Sequence, residues 1–159
     1  TTYSSAMDAV DHEIIRHRAI SGRDSFAAIG DAVGLSPSAT HERIRRLQAQ
    51  GVIRGFRAEV DPAALGRPIL AFVFVAVDQL GEAALIEAVN ASPDVLECHH
   101  VSGGWSYLLK LRCASMQGIE RFLRDVVKPC SPAVRSHTIL ALSSAKETGF
   151  VPPAAGPGP

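Results

Sequence analysis

Four consecutive residues, Gly34-Leu35-Ser36-Pro37, constrain the fold of this chain more than any others. A glycine just past a helix accepts the left-handed backbone that closes it. Serine followed by proline is the favoured order of N-cap and first helical residue. With only Leu35 between a helix stop and a helix start, two short helices must meet in a tight turn, the layout of a helix-turn-helix. Upstream, Phe26, Ile29, Ala32 and Val33 recur at helical spacing, and Asp24 is the expected cap of that helix. Ala9, Ile14, Ile15 and Ile20 mark a preceding amphipathic helix over about residues 7–19, ended by Ser21-Gly22-Arg23. The third helix runs to about Gln50 and stops at Gly51.

The third helix sets how such a motif is used. With Ile44 at the centre of the buried face, a rotation of about 100° per residue puts Thr40 and Leu47 beside it. Ser38, Glu42, Arg45 and Arg46 then face outward, flanked by His41 and Arg43. The 16 basic and 16 acidic side chains of the whole chain cancel, so global charge points to no partner. Locally, residues 36–57 gather Arg43, Arg45, Arg46, Arg54 and Arg57 against the single acid Glu42. A charge run is ordinarily a solvated surface. Joined to a capped tight turn, it is the footprint of a double-stranded DNA reader. The candidate DNA contacts are Ser36, Ser38, His41, Glu42, Arg43, Arg45, Arg46 and Arg54. Arginines suit phosphates and guanine edges, the serines add hydroxyl and helix N-terminal contacts, and Glu42 is an acceptor for a cytosine amino group.

The second half changes period. Residues 69–77 are apolar on both faces, as in a central strand. A helix follows over 81–91, strands over 95–101 and 105–113 about the turn Gly103-Gly104, a helix over 116–127 and a last strand over 134–142. This βαββαβ order is ferredoxin-like. The expected fold class is α+β: a three-helix, winged-type helix-turn-helix head (1–51), a strand and hinge (52–67), a ferredoxin-like domain (68–148) and a disordered tail (149–159). One sheet face carries two helices. The other, with Phe72 and Phe74, needs cover, so a second copy is expected there or at a sheet edge. The longest apolar run, residues 68–77, is too short to span a bilayer, and no secretory leader opens the sequence. No membrane partner and a cytoplasmic location are therefore expected.

The residues 32–66, AVGLSPSATHERIRRLQAQGVIRGFRAEVDPAALG, resemble the leucine-responsive regulatory protein (Lrp/AsnC, feast/famine) family: a Gly-Leu-Ser turn, a recognition helix ending in Gly-Val-Ile, and a strand leading to Asp-Pro-x-x-Leu-Gly. SPDVLECHHVSGGWSYLLKLRC over 92–113 is similar to the family's Pro-x-Val-x-x-Cys segment, glycine turn and Tyr-Leu-Leu strand. VRSHTILALSSAKET near the end resembles its final strand and Lys-Glu-Thr close. The resemblance covers about residues 7–148. It implies a transcriptional regulator that dimerises through the second domain, assembles further into octamers or other even assemblies, and is tuned by a small molecule, often an amino acid, held between those domains. One departure stands out. Where the family usually has Gly-Asp-x-Asp, this chain has Gly103-Gly104-Trp105-Ser106, so acids able to hold an α-ammonium are absent from the turn. The effector contacts carried over are Ser102, Gly103, Gly104, Trp105 and Ser106, with the hydroxyls of Ser136 and Thr138 on the last strand.

Other chemistries fit less well. Cys98, Cys113 and Cys130 form no C-x-x-C pair. In Cys98-His99-His100 only Cys98 and His100 share a strand face, too few ligands for zinc. No metal and no cofactor are expected. His99 and His100 are expected to tune a dimer interface. No carboxylate pair, Ser-His-Asp order or phosphate-cradling glycine loop appears, so an enzyme is not expected. The alternatives are an enzyme like certain haem-pathway decarboxylases, with Arg135, His99 and His100 holding an anionic tetrapyrrole, and a metabolite-sensing oligomer without DNA binding. The complete basic head argues against both.

Overall fold

The computed structural model describes residues 7–149 and residue 151. The chain forms two compact units, one ending at Ala58 and taking up the chain again from Glu147, the other spanning Glu59–Lys146. The first contains α1 (Ala9–Ile20), α2 (Phe26–Val33) and α3 (Pro37–Ala49). Ile14, Ile29, Ile44 and Leu47 form its buried centre, one or two residues from each helix. Asp8 caps α1 in a reciprocal capping box with Asp11. Ser25, not Asp24, caps α2, its Oγ accepting the Ala28 N–H at 3.1 Å. The cap must lie one residue before the first helical turn, and the Asp24 carbonyl instead accepts from Arg18 at 2.8 Å. Gly34 closes α2 at φ +72°, and Ser36 caps α3 with Pro37 in its first turn. The turn is tight because Gly30 has no side chain. A Cβ there would lie 2.5 Å from the Leu35 carbonyl oxygen and 2.9 Å from Thr40 Oγ1.

Residues 52–68 contain no strand, unlike the expected strand at the hinge. A strand exists only where a second segment pairs with its backbone. None pairs here within the chain among the described residues. Most of the tail expected to be disordered, residues 150 and 152–159, lies outside the described residues.

The second unit contains β1 (Ile69–Ala76), α4 (Glu82–Ala91), β2 (Val95–His100), β3 (Tyr107–Cys113), α5 (Met116–Phe122) and β4 (Arg135–Leu140). The antiparallel sheet has the order β2-β3-β1-β4. The helix expected over 116–127 is α-helical only to Phe122. It widens to π geometry over Leu123–Val127 and tightens to a 3₁₀ turn over Lys128–Cys130, where Pro129 lacks the N–H that would continue it.

Strand alternation separates two faces. Ala71, Val73 and Val75 of β1 join Tyr107, Leu109 and Leu111 of β3 in one core with Leu85, Val89, Ile119, Phe122 and Val127. The other face carries Phe72 and Phe74, paired in register with Lys110 and Leu108 on one side and with Ile139 and His137 on the other. Ile139 is 46% exposed there. Among the described residues no helix is long and apolar enough to cross a membrane.

Candidate nucleic-acid interface and ligand region

Helix α3 presents the candidate DNA contacts from a rigid base. Thr40, Ile44 and Leu47 are buried beneath it, and the Thr40 hydroxyl donates to the Ser36 carbonyl at 3.0 Å. At its N-terminus the Ser36 Oγ accepts the Ala39 N–H at 3.2 Å and lies 3.1 Å from the Ser38 Oγ. Ser36 is therefore a cap first, while the exposed Ser38 keeps hydrogen-bonding capacity toward solvent. The His41 ring meets Phe26 of α2 edge-on, with centroids 4.8 Å apart. Arg18 lies over Phe26 and Phe56, at 5.0 and 5.3 Å from the ring centroids.

The arginines of α3 divide sharply. The Arg43 guanidinium bridges Asp8 Oδ2 at 2.7 Å and Asp11 Oδ1 at 2.9 Å, and Arg46 reaches Asp11 Oδ2 at 2.6 Å. Asp11 is 1% exposed, so two cations of the expected basic face are tied to a buried acid of α1. The expected free basic surface is corrected accordingly: Arg46 does not simply project outward, because its long side chain bends back to Asp11. Arg43 holds the Asp8 carboxyl below the usual carboxylate range, and Asp8 in turn raises Arg43. Glu42, Arg45 and Arg54 are exposed and make no side-chain ion pair among the described residues. The structure thus brings Ser38, Glu42 and Arg45 together on an open face and occupies Arg43 and Arg46. Sequence reasoning missed Asp8 and Asp11 as partners. Their only signal was acids at the start of an amphipathic helix more than 30 residues away in the chain.

The expected effector residues separate as well. In register, Ser136 faces Val75 and Thr138 faces Val73, so both belong to the helix-covered face. Trp105 joins the other face: its ring is 5.9 Å from Phe74 and 6.2 Å from His137, with the Arg135 guanidinium 5.6 Å over it. The strand period of two therefore removes Ser136 and Thr138 from the neighbourhood of Trp105 and puts His137 and Arg135 there. Ser106 closes the turn instead of facing it. Its backbone N–H donates to the Val75 carbonyl at 2.9 Å, and its Oγ accepts the Val77 N–H at 3.3 Å. Gly103, at φ +106°, and Gly104 have open space where a Cβ would be, and Ser102 is exposed beside them.

The histidine–cysteine cluster divides in the same way. Cys98 and His100 pair with Leu109 and Tyr107, and the His100 and Tyr107 rings lie 5.1 Å apart. His99 turns to the open face and meets Glu97 Oε2 at 3.2 Å. Burial pushes the Cys98 thiol up, the opposite of what a reactive thiol needs. Tyr107 donates to Glu82, which pushes its phenol up to about 12. No three His, Cys, Asp or Glu side chains among the described residues are grouped to hold a metal ion.

Comparison with known proteins bears on both units. The AsnC-type helix-turn-helix domain matches residues 7–48, and the Lrp/AsnC ligand binding domain matches residues 70–151. A leucine-responsive regulatory protein from Haemophilus influenzae is 33% identical over 93% of this chain and 91% of its own length. A proline dehydrogenase transcriptional activator from Rhizobium radiobacter is 34% identical over 91% of this chain and 94% of its own. Among solved structures, a feast or famine regulatory protein from Mycobacterium tuberculosis complexed with L-methionine superimposes with a TM-score of 0.81. It is 29% identical and covers 93% of this chain and 100% of its own.

Proposed function

The chain belongs to the Lrp/AsnC family of helix-turn-helix transcriptional regulators, and we propose that it reads DNA chiefly through Arg45, Glu42 and Ser38 of α3. The observation that carries this reading is the capped α3, which leaves these three exposed side chains on one face while its other arginines are held. Arg45 is suited to fork onto a guanine edge, Glu42 to accept from cytosine, and Ser38 with the helix N-terminus to hold a phosphate. Arg54, exposed just beyond α3, supplies a further phosphate contact. The division of labour is a reading head over 1–51, a connector over 52–67 and an assembly and sensing domain over 68–148. Its place of action is the cytoplasm, with the DNA.

The second domain pairs with another copy through its open sheet face, where Phe72, Phe74 and Ile139 otherwise meet water. Two heads per dimer then call for a pseudo-palindromic site with half-sites about one helical turn, or a multiple of it, apart. A small molecule of the amino-acid class binds near the turn at Ser102, Gly103, Gly104 and Trp105, with His137 and Arg135 as neighbours in place of Ser136 and Thr138. The L-methionine complex of the Mycobacterium relative supports this class.

The test is anisotropy of a labelled duplex from the gene's own upstream region, titrated at several salt concentrations with and without pooled amino acids. Binding that exceeds binding to scrambled DNA, and that shifts with the pool, is expected. Equal affinity for both duplexes, here and across other promoter regions, would remove the base-reading assignment. Specific binding unmoved by the pool would remove only the effector class.

A further inference from the structure

Asp11 lies beneath the recognition helix with both carboxylate oxygens engaged. Oδ1 accepts from Arg43 at 2.9 Å, and Oδ2 accepts from Arg46 at 2.6 Å and from the Asp8 backbone N–H at 3.3 Å. Asp8 adds a second carboxylate to Arg43 at 2.7 Å. Between these two arginines in sequence, Arg45 has no ion-pair partner among the described residues. A guanidinium held at ion-pair distance by a carboxylate presents a dipole, not a net charge, to a distant polyanion. Attraction to DNA phosphates is blind to sequence and grows with the number of phosphates the protein neutralises.

We infer that Asp8 and Asp11 are specificity-determining positioning residues: they hold Arg43 and Arg46 on the protein, lower the sequence-blind part of DNA affinity, and leave base reading to Arg45 and Glu42. The inference rests on the reading of α3 as the DNA-contacting helix. It separates two jobs for arginines within four positions of each other. It also differs from a purely structural ion pair, which would affect stability and leave the salt dependence of DNA binding untouched.

The test compares full-length wild type with Asp11→Asn and Arg46→Gln on specific and scrambled duplexes across roughly 50–200 mM salt, a range over which phosphate contacts dominate affinity changes. Asn keeps the shape and hydrogen-bonding oxygen of Asp11 and removes its charge. Asp11→Asn is expected to bind scrambled DNA several-fold more tightly, with a plot of log K against log salt steeper by about 1–2. Its ratio of specific to scrambled affinity should fall. Arg46→Gln is expected to keep the wild-type slope, because its guanidinium is not on a phosphate. A wild-type slope in folded Asp11→Asn overturns the inference, and so does a slope shallower by about 1 in Arg46→Gln. If circular dichroism shows that Asp11→Asn does not fold, Asp8→Asn, at a side chain 50% exposed, decides: a slope steeper than wild type is expected, and a wild-type slope overturns the inference. Wild type with no preference for its own DNA would instead remove the base-reading proposal, whatever the slopes of the variants.

Discussion

Arg45 and Arg46 are adjacent in the chain, and their surroundings give them different work. Arg46 is paired with Asp11, whereas Arg45 is exposed and has no ion-pair partner among the described residues. Arg45→Ala should therefore weaken specific binding by about 1–3 kcal/mol, the usual value of a lost bidentate base contact, and relax preference at one base position. Anisotropy against a panel of singly substituted duplexes reads this directly, and an unchanged preference would show that Arg45 touches no base. Asp8 carries a pH prediction. Arg43 and the Asp11 N–H hold its carboxyl below the usual range, so its stabilising contribution is present above the unfolded value near 4. That contribution is lost as pH falls through the lower, folded value. The melting temperature followed by circular dichroism should drop as pH falls from about 5 through and below the unfolded carboxylate value near 4, and Asp8→Asn, still a competent N-cap, should flatten part of that drop. An identical pH dependence in the variant would mean that other carboxylates govern acid unfolding.

At the level of elements, the approach of α2 to α3 depends on the missing side chain of Gly30. Alanine in a helix normally gains up to about 1 kcal/mol over glycine. Here the added methyl meets the Leu35 carbonyl oxygen at 2.5 Å, and backbone cannot rotate aside as a side chain can. Gly30→Ala should thus cost about 1–3 kcal/mol, the usual price of overpacking. Urea unfolding of the full chain followed by helical circular dichroism measures it, and a variant as stable as wild type would show that the turn has slack. The register of β4 against β1 is equally decisive. Because its period is two, a single residue of register determines whether Trp105 meets His137 or Ser136.

For the whole molecule, the open sheet face carries the assembly prediction. Ile139 is 46% exposed within the chain, so a charge there is compatible with the fold. Buried against a second copy without a partner, the same charge is costly. Ile139→Glu should keep wild-type circular dichroism and shift the sedimentation coefficient to a smaller species. An unchanged sedimentation profile would place the interface elsewhere.

How much of this was legible in the sequence follows from the range of the interactions involved. The three helices, the turn at Gly34 and Leu35, the Ser36 cap and the βαββαβ order depend on periodicity and on caps within four residues, so the linear chain determined them. The family resemblance, carried by the runs over 32–66 and 92–113, had the same local basis. Asp24 failed as a cap by one residue because helix ends are decided by backbone hydrogen bonds, not by composition alone. The hinge strand failed because a strand needs a partner that no local signal supplies. The pairing of Arg43 and Arg46 with Asp11, and the placement of Ser136 and Thr138 away from Trp105, were settled by tertiary structure alone. Both depend on which segments meet across long separations in the chain, and on parity within a sheet, where a shift of one residue exchanges core for solvent.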